Sequence, residues 1–477
     1  MNSVDLNLIA ISQEILQLVP SAIAKRLSVL PLYIKNNILF AAMAHEDFHV
    51  TDQLETITGL SVEILEGESQ AILTKTIHRY YPDSASPGTA PAVILLDRIL
   101  NLALQQRVSD IHINPIAEQG EIKFRIDGQL RLIENVSSLI INELITVLKV
   151  MAHLDIAEKR TPLDGNINHT VSGEEICMRA ATMPTVHGEK MTLRLLSQDK
   201  DGYLAELTKL GMDQQDLSLF KSALDSPNGI ILLSGPTGSG KTTTLYAALR
   251  QLRLNGDRHL VSIEDPVEVQ VEGVTQIPVD SDKDRLSFAR ALRGVLRHDP
   301  DVIMVGEIRD AETADIAVKS ALTGHLVIAT LHANNAIGVI TRMIDLGVSP
   351  YLLASTLRLT IAQRLVRQPC RHCMTWENMD SESLNLLYGV EKESTKYPIA
   401  NGCPICAESG YSGRVAIYEM IEPDFALKKM INSQAAEDTL SEYVFETMNI
   451  KNLLNDGLQK AEQGLITTRE LIKATQQ

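Results

Sequence analysis

Residues 235–242 have the spacing of a phosphate-binding loop, between an apolar run and a helical stretch at 243–252. Glycines in such a loop let backbone N–H groups close around phosphate oxygens. Lys241 would place a charge on the β and γ phosphates, and the Thr242 hydroxyl would reach Mg²⁺. A chance glycine-rich turn is the disfavoured alternative. The predicted ATP and Mg²⁺ site consists of Gly235, Pro236, Thr237, Gly238, Ser239, Gly240, Lys241, Thr242 and Thr243.

Acidic residues follow two other apolar runs of the same region. Glu307 comes after the run at 302–305, and Glu264 and Glu268 come after the run at 260–263. A site that hydrolyses ATP needs carboxylates that orient water and complete the coordination of the metal. These three glutamates are therefore candidate catalytic residues. The alternative is that each one caps a following helix.

Histidines flank the apolar run at 326–329. His325 precedes it, and His332 follows it. A histidine at the end of a strand could detect the γ-phosphate through a hydrogen bond, which makes His332 a candidate catalytic residue. For either histidine, the alternative is a structural hydrogen bond.

Four of the five cysteines form two Cys-x-x-Cys pairs, Cys370 with Cys373 and Cys403 with Cys406. The separation of 30 positions between the pairs is longer than in a compact zinc ribbon and indicates an inserted loop. Four thiolates suit tetrahedral Zn²⁺ and leave no open coordination position, so we predict a structural zinc site. Free or redox-active thiols are the alternative. Cys177 is predicted to be a core residue.

The elements that must position these residues are short apolar runs separated by helical stretches. Their length and uniformly apolar character are typical of buried parallel strands. The four runs are 230–233, 260–263, 302–305 and 326–329. Upstream, apolar residues between 96 and 103 repeat at helical spacing, and those between 111 and 126 alternate as in strands before the turn Asp127-Gly128.

A chain of 477 residues is too long for one hydrophobic core, and it is predicted to be an α/β multidomain protein. A segment rich in Pro, Gly and Ser separates an N-terminal α/β domain from the rest. The predicted divisions are an N-terminal domain at 1–81, a linker at 82–92, an α+β domain at 93–200, a P-loop core at 201–369, a cysteine module at 370–414 and a C-terminal helical region at 415–477.

The chain has 60 acidic and 44 basic residues, for a net charge of −16. Such a charge is unfavourable for contact with phosphate backbones, so no nucleic-acid partner is expected. The N-terminus lacks a basic segment followed by an apolar one, and no stretch reaches the ~18 apolar residues of a membrane span. The sequence predicts a cytoplasmic protein that reaches a membrane only through partners.

Four motifs, taken in order, resemble those of the secretion motor ATPases, which drive type II secretion and type IV pilus assembly. They are the phosphate loop, Glu264-Asp265-Pro266-x-Glu268, the segment 299–310 and the segment 323–332. These segments resemble the Walker A, aspartate box, Walker B and histidine box of that family. Upstream, Ser109-Asp110-Ile111-His112 and the segments 124–128, 154–158 and 184–189 resemble the domain that precedes the motor core, so the likeness covers about 93–420.

The resemblance implies a RecA-like ATPase core preceded by a PAS-like α+β domain that packs on a neighbouring subunit's nucleotide. It places Arg179 and Arg194 facing phosphate, where a cation would stabilise transition-state charge. Surface or interdomain salt bridges are the alternative for both arginines. It also implies that Glu268 activates water, Glu307 completes the metal shell and Glu264 supports them. An exchange of roles among the glutamates is the alternative.

The same resemblance implies a homohexamer that passes movement to an inner-membrane platform. Residues 1–81 would dock on the cytoplasmic part of a membrane protein. One compact domain before the linker favours type II secretion, and type IV pilus extension is the alternative. A nucleic-acid translocase is disfavoured by the acidic charge and the 4% aromatic content. A regulatory scaffold with little turnover is disfavoured by Glu268 and Glu307.

The chain departs from the family pattern at a few positions. Asn114 stands where the family usually has an acid, and the histidine box ends in Ala333-Asn334-Asn335. The Arg-Leu-Gly and Gly-Leu-Ile signature of a cyclic-dinucleotide-binding N-terminal domain is not evident, so such regulation is not predicted.

Overall fold

The computed structural model describes residues 11, 13–35, 37–43, 48–66, 70–81, 91–106, 108–171, 173–196, 206–279, 286–378 and 396–476. These residues form two units. The first contains the chain up to residue 198 together with 370–375 and 400–412, and the second contains 199–369, 376–399 and 413–477. Residues 82–90, which make up most of the predicted linker, lie outside the described residues.

The N-terminal part of the first unit is a small α/β fold. Its elements are α1 (Gln13–Leu18), α2 (Ser21–Leu27), β1 (Leu30–Lys35), β2 (Ile38–Met43), α3 (Phe48–Thr58), β3 (Ser61–Glu66) and α4 (Gln70–Tyr80). The strands form a sheet in the order β1-β2-β3, in which β2 is antiparallel to β1 and parallel to β3. The amphipathic segment that begins at Gln70 is helical, as its spacing predicts.

An α+β fold follows in the same unit. Its elements are α5 (Pro91–Gln105), β4 (Asp110–Pro115), β5 (Gln119–Ile126), β6 (Gln129–Ser137), α6 (Ser138–Met151), β7 (Leu163–Val171), β8 (Glu174–Thr185) and β9 (Gly188–Leu196). The sheet order is β6-β5-β4-β9-β8-β7, with antiparallel neighbours. Helix α5 begins at Pro91, before the predicted domain start at 93, because Ala92 is already buried in the core shared with α6.

This sheet tests two predictions, the turn at Asp127-Gly128 and the burial of Cys177. Asp127 and Gly128 have φ of +47° and +83° and form the predicted two-residue turn between β5 and β6. Cys177 is exposed, so its prediction as a core residue is wrong. Its neighbours Ile176 and Met178 point into the core, and the period of two in a strand turns Cys177 to the other face.

The second unit is built around a seven-stranded sheet. Its helices and strands up to residue 369 are α7 (Gln214–Leu224), β10 (Gly229–Ser234), α8 (Lys241–Leu254), β11 (Leu260–Glu264), β12 (Val274–Pro278), α9 (Phe288–Val295), β13 (Val302–Val305), α10 (Ala311–Leu322), β14 (Leu326–Leu331), α11 (Ala336–Asp345), α12 (Pro350–Thr356) and β15 (Leu357–Pro369). The remaining elements are β16 (Thr375–Asn378), β17 (Lys396–Ile399), β18 (Tyr411–Ile421), α13 (Phe425–Asn432), α14 (Glu437–Glu442), α15 (Leu453–Glu462) and α16 (Thr468–Thr475).

The strands of the large sheet lie in the order β12-β11-β13-β14-β10-β15-β18. Neighbours from β12 to β15 are parallel. In β10, Ile230 and Leu232 pack in the core on one face, and Ile231 and Leu233 pack in the core on the other. The prediction of parallel strands buried on both faces, and with it the α/β multidomain fold class, is confirmed.

Strand β18 crosses the predicted boundary between residues 414 and 415. It belongs to the large sheet because Ile417 and Ile421 are fully buried in its core, and the helical region begins only at Phe425. Much of the predicted inserted loop between the cysteine pairs, 379–395, lies outside the described residues. Across the described part of the chain, no helix combines the length and the hydropathy that crossing a bilayer requires.

Candidate active site

The carboxyl ends of three neighbouring parallel strands bring the predicted site segments together. β10 leads into the phosphate loop, β14 into His332 and β13 into Glu307, and β14 lies between the other two strands. Ligands of open parallel sheets bind at this edge. The topology therefore places three of the four motifs side by side.

The phosphate loop takes its shape from its glycines. Gly235, Gly238 and Gly240 have φ of +149°, +80° and +87°, which other residues adopt only with strain. A Cβ at Gly235 would lie 2.4 Å from the carbonyl oxygen of Gln363, whereas one at Gly238 would meet no described atom within 4 Å. The loop is thus closed against β15 and open at Gly238, where phosphate could approach.

The Lys241 ammonium lies over this loop. Its Nζ donates to the carbonyl oxygens of Gly235, at 2.7 Å, and Pro236, at 3.1 Å. Burial lowers the pKa of Lys241, and the carboxylate of Glu307 opposes that shift. The lysine therefore sits in the phosphate cradle, within electrostatic range of the acid after β13.

Gln363 on β15 is a site residue that the sequence analysis missed. Its buried amide accepts a hydrogen bond from Thr244 Oγ1 at 2.8 Å and donates one to the carbonyl oxygen of Ser239 at 2.9 Å. It therefore ties the loop and the first turn of α8 to β15. The available signal was the polar pair Gln363-Arg364 within a run of apolar residues.

Glu307 joins two basic side chains. Its Oε1 lies 3.0 Å from His332 Nε2, and its Oε2 lies 2.7 Å from an Nη of Arg309. The Glu307 side chain is 18% exposed, while that of His332 is 56% exposed. The acid is therefore held in place from both sides, and the histidine remains open to a ligand.

Glu264 is enclosed by hydrogen bonds. It is 4% exposed and accepts from the hydroxyls of Tyr246 and Ser262 and, at 3.0 Å, from Gln276 Nε2. The Tyr246 hydroxyl accepts in turn from the backbone N–H of Glu268 at 3.1 Å. Glu264 is thus linked to the half-buried Glu268 through the Tyr246 hydroxyl.

The two predicted arginines are cross-strand neighbours in the first unit. Arg179 on β8 lies opposite Arg194 on β9, and Arg194 lies opposite Asp110 on β4. Arg194 Nε contacts Asp110 Oδ1 at 2.9 Å, whereas Arg179 lies 3.9 Å from Asp164, and the two arginine side chains are 64% and 48% exposed. Like charges at opposite positions destabilise a sheet. The carboxylates of Asp110 and Asp164 offset part of the repulsion between Arg179 and Arg194, and both guanidinium groups remain exposed.

The four predicted cysteines come together in the first unit. All four Sγ atoms lie within 4.8 Å of one another. Three separations are 4.0 Å for Cys370 and Cys403, 3.9 Å for Cys373 and Cys406, and 3.7 Å for Cys403 and Cys406. Four sulfurs at about 2.3 Å from a tetrahedral Zn²⁺ would lie about 3.8 Å apart. The residues present therefore fit a tetrahedral metal site.

Backbone N–H groups surround the cysteine sulfurs. Gly402 N–H donates to Cys373 Sγ at 3.3 Å, and Gly410 N–H donates to Cys406 Sγ at 3.2 Å. Burial raises the pKa of Cys406, but the N–H groups of Cys403 and Gly410 outweigh burial and bring the pKa below its usual value. At Cys373, burial outweighs the Gly402 N–H and raises the pKa, so of these two sulfurs it is Cys406 whose thiolate the N–H groups favour.

Comparison with known proteins agrees with the motifs. Residues 85–473 match the family described as Type II/IV secretion system protein, and residues 1–87 match the family described as MshEN domain. The first match spans both the α+β fold of the first unit and the seven-stranded sheet of the second.

Individual relatives are similar over most of their length. The chain is 42% identical to the type II secretion system ATPase E of Vibrio cholerae over 392 residues, which are 82% of this chain and 77% of the relative. It is 37% identical to the type IV pilus assembly ATPase PilB of Myxococcus xanthus, over 98% of this chain and 87% of the relative. The pilus retraction motor PilT with bound ADP superposes with a TM-score of 0.53 at 27% identity, over 79% of this chain and 96% of that one. Motifs, fold and relatives agree that the chain belongs to the Type II/IV secretion system protein family.

Proposed function

We propose that this chain is an ATPase motor that powers pseudopilus assembly for type II protein secretion. The contact of Glu307 with His332 beside the phosphate loop carries the proposal. It joins an acid that can complete a metal site to a donor that can reach a γ-phosphate. Relatives named type II secretion system ATPase E and type II secretion system protein E support the same function.

Within the site, each residue has a separate role. The loop N–H groups and Lys241 bind the ATP phosphates, and Thr242 and Glu307 are the groups that would hold Mg²⁺. Held there, Mg²⁺ would supply positive charge that offsets the negative charge developing on the phosphates. Glu268 orients the attacking water and accepts its proton, and Glu264 holds the backbone of Glu268 in place.

His332 links the γ-phosphate to the metal site. Its ring is exposed enough to donate to a phosphate oxygen, and its Nε2 already contacts Glu307. A hydrogen bond to phosphate would compete with or reorient that contact. The position of Glu307 would therefore depend on whether the γ-phosphate is present.

Arg179 and Arg194 act on the nucleotide of a neighbouring subunit in a homohexamer. Both are exposed, and the sheet holds them next to each other despite their like charges. Cations delivered to a phosphoryl group raise the rate of hydrolysis by about 10³–10⁵ in other P-loop enzymes. Hydrolysis in one subunit would then depend on the placement of the next.

The four cysteines hold a structural Zn²⁺. Their sulfur separations fit tetrahedral coordination, and four protein ligands leave no position for substrate. The metal would tie 370–373 to 403–406 across the long insertion. Its contribution is to folding rather than to hydrolysis.

Residues 1–81 dock on the cytoplasmic domain of a membrane-anchored secretion protein. The motor acts at the cytoplasmic face of the inner membrane, through this partner and the inner-membrane platform. The match to a separate domain family over 1–87 supports a distinct role for this part of the chain. The acidic net charge of −16 supports protein rather than nucleic-acid partners.

Type IV pilus assembly is the second candidate function. The match to the pilus assembly ATPase PilB extends over 98% of this chain, whereas the match to the Vibrio cholerae secretion ATPase covers 82%. A match over 98% of the chain must include most of residues 1–81, the partner-docking region. Both candidates share the ATPase site and differ in the partner.

The partner decides between the two functions. The chain and a variant lacking residues 1–81 are each incubated with inner membranes from the organism that naturally makes the protein. The membrane proteins that bind to each chain are then identified. We expect only the full chain to associate, with secretion components, while both chains bind ATP. Equal association of the two chains would contradict the docking role, and recovery of pilus components would favour the alternative.

A further inference from the structure

Strand β15 carries a buried polar pair that contacts two parts of the site. Gln363 bonds to the phosphate loop and to α8, as described above. The next residue, Arg364, is 7% exposed, and its guanidinium donates to the carbonyl oxygens of Gln363, at 3.2 Å, and Asn334, at 2.6 Å. Asn334 lies two residues beyond His332. Arg364 therefore joins the strand that touches the phosphate loop to the segment that carries the histidine.

Glu419 on β18 holds the end of the same segment. Its carboxylate is 3% exposed and accepts from the backbone N–H groups of Ala336, at 2.7 Å, and Leu453, at 3.3 Å. Ala336 is the first residue of α11, and Leu453 is the first residue of α15. Burial raises the pKa of Glu419, and the positive charge of Arg364 opposes that shift. The two buried charges therefore stabilise each other while each holds backbone near His332.

Close packing does not hold the backbone at Asn334. Arg364 and Asn334 line a cleft of about 510 Å³ that also borders Gly235, and a second cleft of about 310 Å³ that also borders Glu419. The Asn334 side chain is exposed and so has few packing contacts, whereas Arg364 beside it is buried. Core packing of Ala336 and the Asn335 cap hold the start of α11, and the hydrogen bonds from Arg364 and to Glu419 tie the segment after His332 to β15 and β18.

We propose that Arg364 and Glu419 are positioning residues that set the distance between His332 and Glu307. They do so by fixing the backbone at Asn334 and Ala336 relative to the strand that touches the phosphate loop. This inference rests on the role proposed above for His332. Gln363 and Lys241 make their loop contacts without Arg364 side-chain atoms, so a substitution that keeps the positive charge of Arg364 near Lys241 should spare nucleotide affinity.

The first test is Arg364→Lys, which keeps the charge but not the fork that reaches two carbonyls. Misplacement of a catalytic group by about 1 Å can cost about 10²-fold in rate, so we expect kcat for ATP hydrolysis to fall by up to that factor. The Kd for ATP should stay close to that of the parent. A purely structural role would instead lower the melting temperature without separating kcat from Kd.

Arg367→Lys is the matched control. Arg367 lies on the same strand, and its guanidinium makes two hydrogen bonds, of 2.8 and 2.7 Å, to Glu470 in α16. Its kcat should remain near that of the parent. Glu419→Gln provides a second variant, because an amide keeps the size but only one acceptor oxygen. Glu419→Gln should lower kcat by a similar factor. It therefore tests the inference independently if Arg364→Lys does not fold.

A double-mutant cycle tests the route through His332. Arg364→Lys should lower kcat much less in a His332→Ala background than in the parent. If Arg364→Lys lowers kcat by the same factor in the parent and in His332→Ala, the inference is overturned. Parent-like kcat in both Arg364→Lys and Glu419→Gln would also overturn it. Normal turnover by His332→Ala alone would overturn the proposed role of His332 and this inference with it. Impaired His332→Ala with normal Arg364→Lys would overturn only the inference.

Discussion

His332 Nε2 lies 3.0 Å from Glu307 Oε1, although the two residues belong to different motifs that follow adjacent strands. Glu307 also contacts Arg309, so its carboxylate has a defined orientation at the edge of the sheet. The proposed phosphate-sensing group and the proposed metal-site acid are thereby joined directly. Changing either residue should alter the function of the other.

Substitution of this pair should affect turnover more than binding. In Glu307→Gln the carboxylate charge that would face Mg²⁺ is lost while the shape is kept, and removal of one such electrostatic group costs about 10²–10³-fold in kcat. His332→Ala should also lower kcat. ATP turnover by the purified chain and nucleotide binding by titration measure the two effects. His298→Ala, at an exposed histidine of the same unit, is the control. Unchanged kcat in Glu307→Gln would contradict the assignment.

Lys241→Ala should abolish hydrolysis. The substitution removes the ammonium from the phosphate cradle, where a charge-assisted contact acts on both binding and transition-state charge. Steady-state phosphate release measures the loss, and fluorescence of a labelled nucleotide measures binding. Lys319→Ala is the control, because Lys319 is an exposed lysine paired with Asp315 on α10. Normal turnover by Lys241→Ala would refute the central assignment.

Arg179→Ala and Arg194→Ala should each lower kcat by an amount approaching the 10³–10⁵-fold effect of an arginine supplied in trans. If these arginines serve a neighbouring subunit, a mixture of Arg179→Ala chains with Lys241→Ala chains should regain activity. In mixed rings, an intact phosphate loop from one chain would meet an intact arginine from the other. Phosphate release from the mixture, compared with each variant alone, measures the recovery.

The control for this experiment is a mixture of Lys241→Ala chains with Glu307→Gln chains. Both residues belong to one subunit's site, so each mixed site keeps one defect and no recovery is expected. Recovery in this control would mean that mixing itself restores turnover. Failure of recovery in the arginine mixture, with rings formed, would favour salt bridges such as Arg194 with Asp110 as their role.

Metal analysis should find about one Zn²⁺ per chain. Cys373→Ser should lose the metal and lower the melting temperature, because the four sulfurs form one tetrahedral set. Cys177→Ser should keep the metal, since Cys177 lies exposed on β8. A folded parent chain without metal would contradict the assignment. Loss of zinc in Cys177→Ser would show that the metal analysis reports general damage.

Local patterns explain why much of this architecture could be predicted. The loop at 235–242 needs glycines at fixed spacing, and the buried strand runs need uninterrupted apolar residues. The error at Cys177 came from its type, although the alternation of Ile176 and Met178 indicated an exposed position. Strand β18 crosses the predicted boundary at 414 because the local sequence of a strand does not show which distant strand it will pair with.

The sequence by itself determined the phosphate loop, the candidate acids and the paired cysteines, because those functions need particular residue types at short separations. Only the tertiary structure decided which of them touch. It placed His332 on Glu307, buried Glu264 under Tyr246, and brought Gln363 to Thr244 across 119 residues. Such contacts depend on the order of strands in the sheet, and that order is set by packing of the whole core rather than by neighbouring residues.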